Sequence, residues 1–247
     1  MLIAGEGRMA ELGMARDQRH RPYMEDRVVT GVTAGTVLAA VFDGHGGAAV
    51  AEHAAARVLA LMEAALARGL GGQALARAVF SDLDLAVDGC GSTATLLWVR
   101  GRELTVAWAG DSRAILVSQT SWRVLASDHR IDRTEERRRV LAAGAVIDPP
   151  YVIDPHTEHG LMMTRTLGDR ELRRIGVSAE PEVATIRLAD DDVGFVVATD
   201  GLWDVVANAE AAAVCRAETP QAAATRLLQM VITRDGQDNV TIVVGRL

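Results

Sequence analysis

Three apolar segments of this sequence each end in an aspartate that lies next to a glycine. They are Asp43 in TVLAAVFDG, Asp111 in LTVAWAGDS and Asp200 in FVVATDG. An acid at the end of a buried strand is held rigidly and is partly removed from water, which is favourable only when a cation shares its charge. One Asp-Gly pair is more often a turn than a ligand. Three such pairs together predict a metal site.

Two further acidic stretches supply candidate ligands for this site. Glu25 and Asp26 are adjacent in RPYMED, and Asp238 precedes Asn239 directly before the last apolar segment. Four converging carboxylates would repel one another and any phosphate dianion, whereas two divalent cations would cancel their charge. Ligation by oxygen alone favours Mg²⁺ or Mn²⁺ over zinc, which prefers nitrogen and sulfur.

The elements that must position these acids can be read from the periodicity of the apolar residues. The predicted strands are Arg27–Val32, Thr36–Phe42, Thr93–Val99, Glu103–Ala109, Ala114–Val117, Arg123–Ala126, Phe195–Ala198 and Val240–Val244. The predicted helices are Ala48–Ala67, Gln73–Ala86, Arg133–Ala143 and Pro220–Thr233. Because strands and helices come in blocks, we expect an α+β sandwich of antiparallel sheets covered by helices. Asp148–Gly160 and Arg170–Glu180 are predicted to be irregular loops.

The bulk composition excludes several classes of function. All 26 basic residues are Arg and none is Lys, which excludes Walker-type NTPases, protein kinases and Schiff-base enzymes. The net charge of -7 and the pI of about 5.4 argue against a nucleic-acid partner. A chain of 247 residues with 49% hydrophobic composition can form one compact domain, which we expect to span residues 1–247.

The same sequence predicts where the protein works. Cys90 and Cys215 form no paired motif, which fits a reducing compartment. Residues 1–16 carry acidic and basic side chains among their apolar ones, so no signal-peptide core is expected. No apolar run approaches the ~20 residues that cross a bilayer. We therefore expect a soluble, cytoplasmic monomer without a membrane partner.

A series of short motifs runs in order through nearly the whole chain. It consists of Met24-Glu25-Asp26, Asp43-Gly44-His45-Gly46-Gly47, Gly91-Ser92-Thr93-Ala94, Gly110-Asp111-Ser112-Arg113, Leu167-Gly168-Asp169, Glu180-Pro181-Glu182-Val183, Asp200-Gly201-Leu202-Trp203-Asp204 and Asp238-Asn239. This series resembles that of the PPM family of metal-dependent protein phosphatases, the type 2C class. The resemblance implies a four-layer αββα sandwich that hydrolyses phosphoserine and phosphothreonine in proteins.

The resemblance also implies which residues bind metal. Asp43 would bridge two Mn²⁺ or Mg²⁺ ions. Asp200 and Asp238 would complete the shell of one ion, and Glu25 with the carbonyl of Gly44 would complete that of the other. A water between the ions would attack phosphorus directly, without a covalent enzyme intermediate.

The remaining implied roles concern the phosphate and the protons. Asp111 together with Asp200 would hold a possible third ion, and Asp26 would take part in catalysis from behind the ligands. Arg21 would bind the phosphate in a fork geometry, and His45 would protonate the leaving serine or threonine oxygen. A supporting polar network is expected from Arg113, Arg165 and Asp169.

Three alternatives compete with this hypothesis. The stretch Gly44–Ala49 matches the dinucleotide-binding pattern G-x-G-x-x-A, but Glu63, at the distance of the required acid, falls inside a predicted helix. A thiol phosphatase needs Arg six residues after its Cys, where this chain has Leu96 or Gln221. A catalytically inactive relative that binds phosphoproteins would have lost a ligand, and every expected carboxylate is present.

Overall fold

The computed structural model describes residues 11–247, so most of the segment considered above for a signal peptide lies outside the described residues. The strands are β1 (Glu11–Asp17), β2 (Arg27–Thr33), β3 (Thr36–Phe42), β4 (Gly44–His45), β5 (Gly91–Ser92), β6 (Ala94–Arg100), β7 (Glu103–Ala109), β8 (Arg113–Ser118), β9 (Trp122–Ala126), β10 (Val146–Asp148), β11 (Tyr151–Ile153), β12 (Gly160–Leu161), β13 (Leu167–Gly168), β14 (Glu182–Arg187), β15 (Asp192–Ala198) and β16 (Val240–Arg246). The helices are α1 (Ala49–Ala67), α2 (Gly72–Leu83), α3 (Thr134–Ala142), α4 (Asp200–Trp203), α5 (Asn208–Ala217) and α6 (Pro220–Thr233), and a 3₁₀ helix spans Arg170–Ile175.

Two five-stranded antiparallel sheets form the centre of the fold. The first has the strand order β14-β7-β6-β3-β2, and the second has the order β1-β16-β15-β8-β9. Helices α1 and α2 cover the outer face of the first sheet, where Phe42 is fully buried, and α5 and α6 cover the second, where Leu227 is fully buried. Phe195 belongs to the core between the two sheets. The predicted α+β, four-layer αββα sandwich is confirmed.

Strand β3 is an uninterrupted apolar run that this fold buries completely. All seven of its residues are buried, because the strand lies inside its sheet and both of its faces meet other layers. Leu38 and Phe42 point towards the helices, whereas Ala39 and Val41 point into the core between the sheets. Burying a large apolar side chain contributes about 1.5–3 kcal/mol. This strand therefore anchors the residue that follows it, Asp43.

The structure adds elements that the periodicity did not predict. Strands β1 and β14 lie at sheet edges, where one flank is unpaired and the apolar alternation is weak. Helix α5 spans only ten residues, so its apolar periodicity covers fewer than three turns. Helix α2 ends at Leu83, before the predicted Ala86, and the chain turns extended at Asp84.

The two predicted loops are not wholly irregular, and that prediction was wrong. Asp148–Gly160 contributes to a small antiparallel sheet of β10, β11 and β12, in which the Pro149-Pro150 pair forms the turn rather than preventing strand pairing. The second segment contains the 3₁₀ helix. Within residues 11–247, no helix is both long and apolar enough to span a membrane.

Candidate metal centre

The predicted acidic residues meet in one cleft at a shared edge of the two sheets. Asp43 and Asp111 follow strands of the first sheet, whereas Asp200 and Asp238 flank strands of the second. We call this the carboxylate cleft; its volume is about 260 Å³. Its lining includes eight of the nine catalytic and metal-binding residues predicted from the sequence, namely Arg21, Glu25, Asp43, Gly44, His45, Asp111, Asp200 and Asp238. Asp111 also lies two residues before β8 of the second sheet, so both sheets position acids of the cleft.

The turn after β3 is held by the backbone and by one buried hydroxyl. The amide of Asp43 donates to Thr93 Oγ1 at 3.1 Å, and the amide of Thr93 donates to the carbonyl of Asp43 at 2.8 Å. A Cβ at Gly44 would lie 2.7 Å from the carbonyl oxygen of Glu25. Glycine is required there because any side chain would push the Glu25 loop away from Asp43.

Asn239 holds the Glu25 loop against the second sheet. Its Oδ1 accepts the amide of Glu25 at 2.7 Å, and its Nδ2 donates to the carbonyls of Gln18 and Tyr23 at 2.9 and 3.0 Å. A Cβ at Gly201 would lie 2.0 Å from the carbonyl of Asn239, so the turn that carries Asp200 also packs against this residue. The Asp238-Asn239 pair thus supplies one acid to the cleft, Asp238, and positions a second, Glu25, through Asn239.

The carboxylate cleft crowds acidic side chains together in a largely buried site. Burial raises the pKa of Asp43 well above its ordinary value, and the charges of Asp26, Asp200, Asp111 and Asp238 raise it further. Burial, followed by the nearby acids, raises the pKa of Asp200 to about 8. Burial also raises the pKa of Asp111, whose Oδ1 is buried without a partner among the described residues. Crowded carboxylates with an orphaned oxygen are the environment that a divalent cation relieves.

Asp26 lies behind the cleft rather than in it. Its side chain is fully buried, and its Oδ2 accepts a hydrogen bond of 2.9 Å from the hydroxyl of Thr199. Burial is the main cause that raises the pKa of Asp26 to about 6. Because Thr199 directly precedes Asp200, Asp26 supports the turn that carries a predicted ligand.

His45 has a partner in the LGD motif. Its Nε2 lies 2.7 Å from Asp169 Oδ2, which also accepts a hydrogen bond from Thr166 Oγ1 at 3.0 Å. The imidazole is 25% exposed and its Nδ1 is buried without a partner among the described residues. A Cβ at Gly91 would lie 1.9 Å from Asp169 Oδ2, so glycine is required for this pair to form. Asp169, a member of the predicted supporting network, thus contacts His45 directly.

Arg21 is the exposed cation at the rim of the cleft. Its guanidinium is 56% exposed and donates to Asp238 Oδ2 at 2.5 Å. The hydrogen bond and the charge of Asp238 raise the pKa of Arg21, which therefore stays protonated.

A second cation in contact with the acids, Arg130, was not predicted from the sequence. Its Nε donates to Asp111 Oδ2 at 2.9 Å and its Nη2 donates to Asp200 Oδ2 at 3.3 Å. No spacing pattern in the sequence predicts this contact, because Arg130, Asp111 and Asp200 lie on three separate segments of the chain.

Another acidic group lies behind Asp111 and is already neutralised by arginines. His129, Glu136 and Glu182 place their ligand atoms within 4.8 Å of one another. Arg139 and Arg165 bond Glu136 and lower its pKa despite burial. Arg113, which was predicted to belong to the same supporting network as Arg165, donates instead to Asp128 and Asn208. The Nδ1 of His129 accepts the amide of Gly110 at 3.1 Å. This group therefore holds the turn before Asp111, and its two acids are paired with arginines.

The geometry does not fit the dinucleotide alternative. Both neighbours of β3 in its sheet, β2 and β6, run antiparallel to it. A dinucleotide fold needs a parallel neighbour whose end carries the ribose-binding acid. The glycines after Asp43 instead allow close backbone approaches, since a Cβ at Gly46 would lie 2.0 Å from the carbonyl of Gly89.

Comparison with known proteins places this arrangement in a family. The family model described as Protein phosphatase 2C matches residues 13–240. Protein phosphatase 1K, mitochondrial, from Xenopus laevis is 32% identical over 96% of this chain and 68% of its own length. The probable protein phosphatase 2C 45 of Oryza sativa is 33% identical over 95% of this chain and 86% of its own length. Several other plant relatives are longer, and the chain spans only 31–42% of them.

Solved structures agree with the fold. The crystal structure of serine-threonine phosphatase 2C from Toxoplasma gondii superposes with a TM-score of 0.81. The match covers 99% of this chain and 97% of that one at 19% sequence identity, a level that supports the fold alone. The family match over residues 13–240 and the curated relatives carry the assignment further. This chain belongs to the protein phosphatase 2C family of metal-dependent serine/threonine phosphatases.

Proposed function

We propose that this chain hydrolyses phosphoserine and phosphothreonine in proteins at the carboxylate cleft, using two Mn²⁺ or Mg²⁺ ions. The observation that carries the proposal is the convergence of acids from both sheets at one edge of the sandwich. The raised pKa values of Asp43, Asp111 and Asp200 support it, because they describe a site that is unfavourable without cations.

The donor set fits these ions. Asp43 would bridge them, with Asp200 and Asp238 on one ion and with Glu25 and the carbonyl of Gly44 on the other. Four carboxylates carry four negative charges, which two divalent ions cancel. When bound, such ions supply activation of water for attack on phosphorus and neutralisation of the phosphate charge. All of the ligand atoms are oxygens, as Mn²⁺ and Mg²⁺ prefer.

Arg21 would bind the phosphate group. Once the acids are neutralised, the guanidinium at the rim adds a positive charge to an otherwise balanced cleft, and its fork of N–H donors matches phosphate oxygens. Its exposure leaves donors available to a substrate even while one nitrogen contacts Asp238. The site would therefore accept an anion only after it has bound metal.

His45 would donate the proton that the leaving oxygen needs. Alkoxide is a poor leaving group, so a positioned acid contributes more for serine and threonine esters than for esters of acidic phenols. The ring lines the cleft next to Asp43, and its contact with Asp169 fixes its orientation. Asp26 would act indirectly, through Thr199 and the turn that carries Asp200.

The wider setting of the protein stays a prediction. We propose that residues 1–247 form one catalytic domain, because both sheets contribute ligands to one cleft. We also propose a cytoplasmic monomer that acts on phosphoproteins and binds neither nucleic acid nor membranes. Cell fractionation and light scattering after gel filtration test location and oligomeric state.

The decisive experiment measures phosphate release from phosphothreonine and phosphoserine peptides. We expect activity with Mn²⁺ or Mg²⁺ and none after exhaustive treatment with EDTA. Asp43→Asn and Asp238→Asn should abolish turnover while the far-UV circular dichroism spectrum stays unchanged. Asp82→Asn, on the exposed face of α2, is the matched control and should retain wild-type activity. Full activity after chelation would overturn the proposal, and binding of phosphopeptide without turnover would favour the inactive phosphoprotein-binding alternative.

A further inference from the structure

One guanidinium lies where the family resemblance implies a third metal ion. The resemblance assigns that ion to Asp111 and Asp200, which come from different sheets. Arg130 bonds both of them, with Nε to Asp111 Oδ2 at 2.9 Å and Nη2 to Asp200 Oδ2 at 3.3 Å. The side chain of Arg130 is 24% exposed, and that of Asp111 is 1% exposed. The contact is therefore largely shielded from solvent and is screened less than a surface pair.

The fold holds Arg130 in this position from both sides. Its backbone forms an isolated antiparallel bridge with Met163, and its carbonyl accepts the amide of Arg133 at 3.2 Å. The preceding residue, His129, is fully buried and stacks on Trp108 with ring centroids 5.7 Å apart. The following residue, Ile131, is 8% exposed. The guanidinium is thus placed by packed neighbours on both sides and not by a free loop.

Arginine suits this position because it cannot lose its charge. A guanidinium stays protonated at any physiological pH and presents several donors in one plane, so it can bond two carboxylates at once. It therefore supplies locally what a divalent cation would supply, although with one positive charge instead of two. Asp111 keeps one more acceptor, Oδ1, which is buried without a partner among the described residues. That oxygen would accept a cation if the guanidinium left.

We propose that Arg130 acts as a built-in cation between Asp111 and Asp200, so that this protein works with two divalent ions and binds a third only by displacing the Arg130 side chain. The inference rests on the proposed function, since it presumes that the carboxylate cleft binds divalent ions. An ion that needs both acids must break two hydrogen bonds and approach a fixed positive charge. Both effects act most strongly on the third site, because only the third ion needs both acids.

The test counts Mn²⁺ ions and measures their affinities by calorimetry and by electron paramagnetic resonance of free Mn²⁺. Wild-type protein should bind two ions and show a third only weakly. Arg130→Met should bind the third ion at least about tenfold more tightly, because one positive charge is removed a few ångströms away. Arg130→Lys keeps a charge but cannot bridge two carboxylates in one plane, and it should give an intermediate affinity.

Arg137 provides the matched control. It is exposed, it lies close to Arg130 along the chain and it lines the same surface pocket as that residue. Arg137→Met removes one positive charge without touching Asp111 or Asp200, so its three Mn²⁺ affinities should match those of the wild type. If Arg130→Met does not fold, the comparison of Arg130→Lys with the wild type still decides the outcome, because the lysine variant must bind the third ion more tightly.

Two results would overturn the inference. One is a third Mn²⁺ site of unchanged affinity in both Arg130 variants; the other is wild-type protein that binds three ions with similar affinity. Either result leaves the proposed function standing if at least two ions bind and EDTA abolishes phosphate release. Absence of Mn²⁺ binding and of metal-dependent hydrolysis in wild-type protein would instead remove the proposed function itself.

Discussion

Replacement of Asp200 by Asn should stabilise the metal-free protein and remove its response to metal. Burial, with the charges of Asp111, Asp204 and Asp238, raises the pKa of Asp200 from an ordinary 3.8 to about 8. The folded chain therefore holds a proton that the unfolded chain has released. Between about pH 4 and about pH 8 the free energy of unfolding falls as the pH rises. Asn keeps the shape of the side chain but carries no charge to desolvate.

The expected size of this effect follows from the same pKa. A difference of about 4 pKa units corresponds to about 6 kcal/mol, at about 1.4 kcal/mol per unit. The neighbouring acids share this repulsion, and Asn loses the 3.3 Å ion pair with Arg130, so we expect a net gain of only about 2 kcal/mol at about pH 8. In a protein of this size that gain raises Tm by about 4–8 °C.

The assay is thermal unfolding followed by circular dichroism at about pH 8, once with EDTA and once with excess MnCl₂. Wild-type Tm should rise with Mn²⁺, whereas that of Asp200→Asn should start higher and change little. Asp82→Asn removes one exposed charge outside the cleft and should follow the wild type in both buffers. A metal-free Asp200→Asn protein that melts at or below the wild-type temperature would refute the electrostatic reasoning, and so would undiminished stabilisation by Mn²⁺.

Three further predictions concern the carboxylate cleft. His45→Ala should lose more kcat/KM on phosphothreonine peptides than on p-nitrophenyl phosphate, whose leaving group barely needs a proton; equal losses would contradict the acid role. Arg21→Met should raise KM for phosphopeptides at least about tenfold and leave the affinity for Mn²⁺ within a few-fold in calorimetry; an unchanged KM would place the phosphate elsewhere. Protons compete with metal at Asp43 and Asp200, whose pKa values are raised, so apparent Mn²⁺ affinity should increase from about pH 6 to about pH 8 with proton release. A pH-independent affinity would contradict the raised pKa values.

The sequence predicted the central strands because a strand that is buried on both faces consists of consecutive apolar residues. Strand β3 is buried on both faces, so its seven residues form an unbroken apolar run that ends at Asp43. Strands β1 and β14 show only a weak apolar alternation, and α5 spans only ten residues, so these three elements were missed. The prolines at 149 and 150 predicted an irregular loop, and that was wrong: the pair forms the turn between β10 and β11, two strands of three residues that are too short for their periodicity to be recognised.

What the sequence determined by itself is the set of candidate oxygen ligands and the position of three of them at the ends of apolar segments, together with the exclusion of every chemistry that needs lysine. Only the tertiary structure decided which groups meet. His45 contacts Asp169 across 124 positions of the chain, and Arg130 contacts two acids from two different sheets. A side chain's partners and its pKa depend on distance and burial in three dimensions, and a carboxylate becomes a candidate ligand only when packing has removed water and brought other charges within a few ångströms.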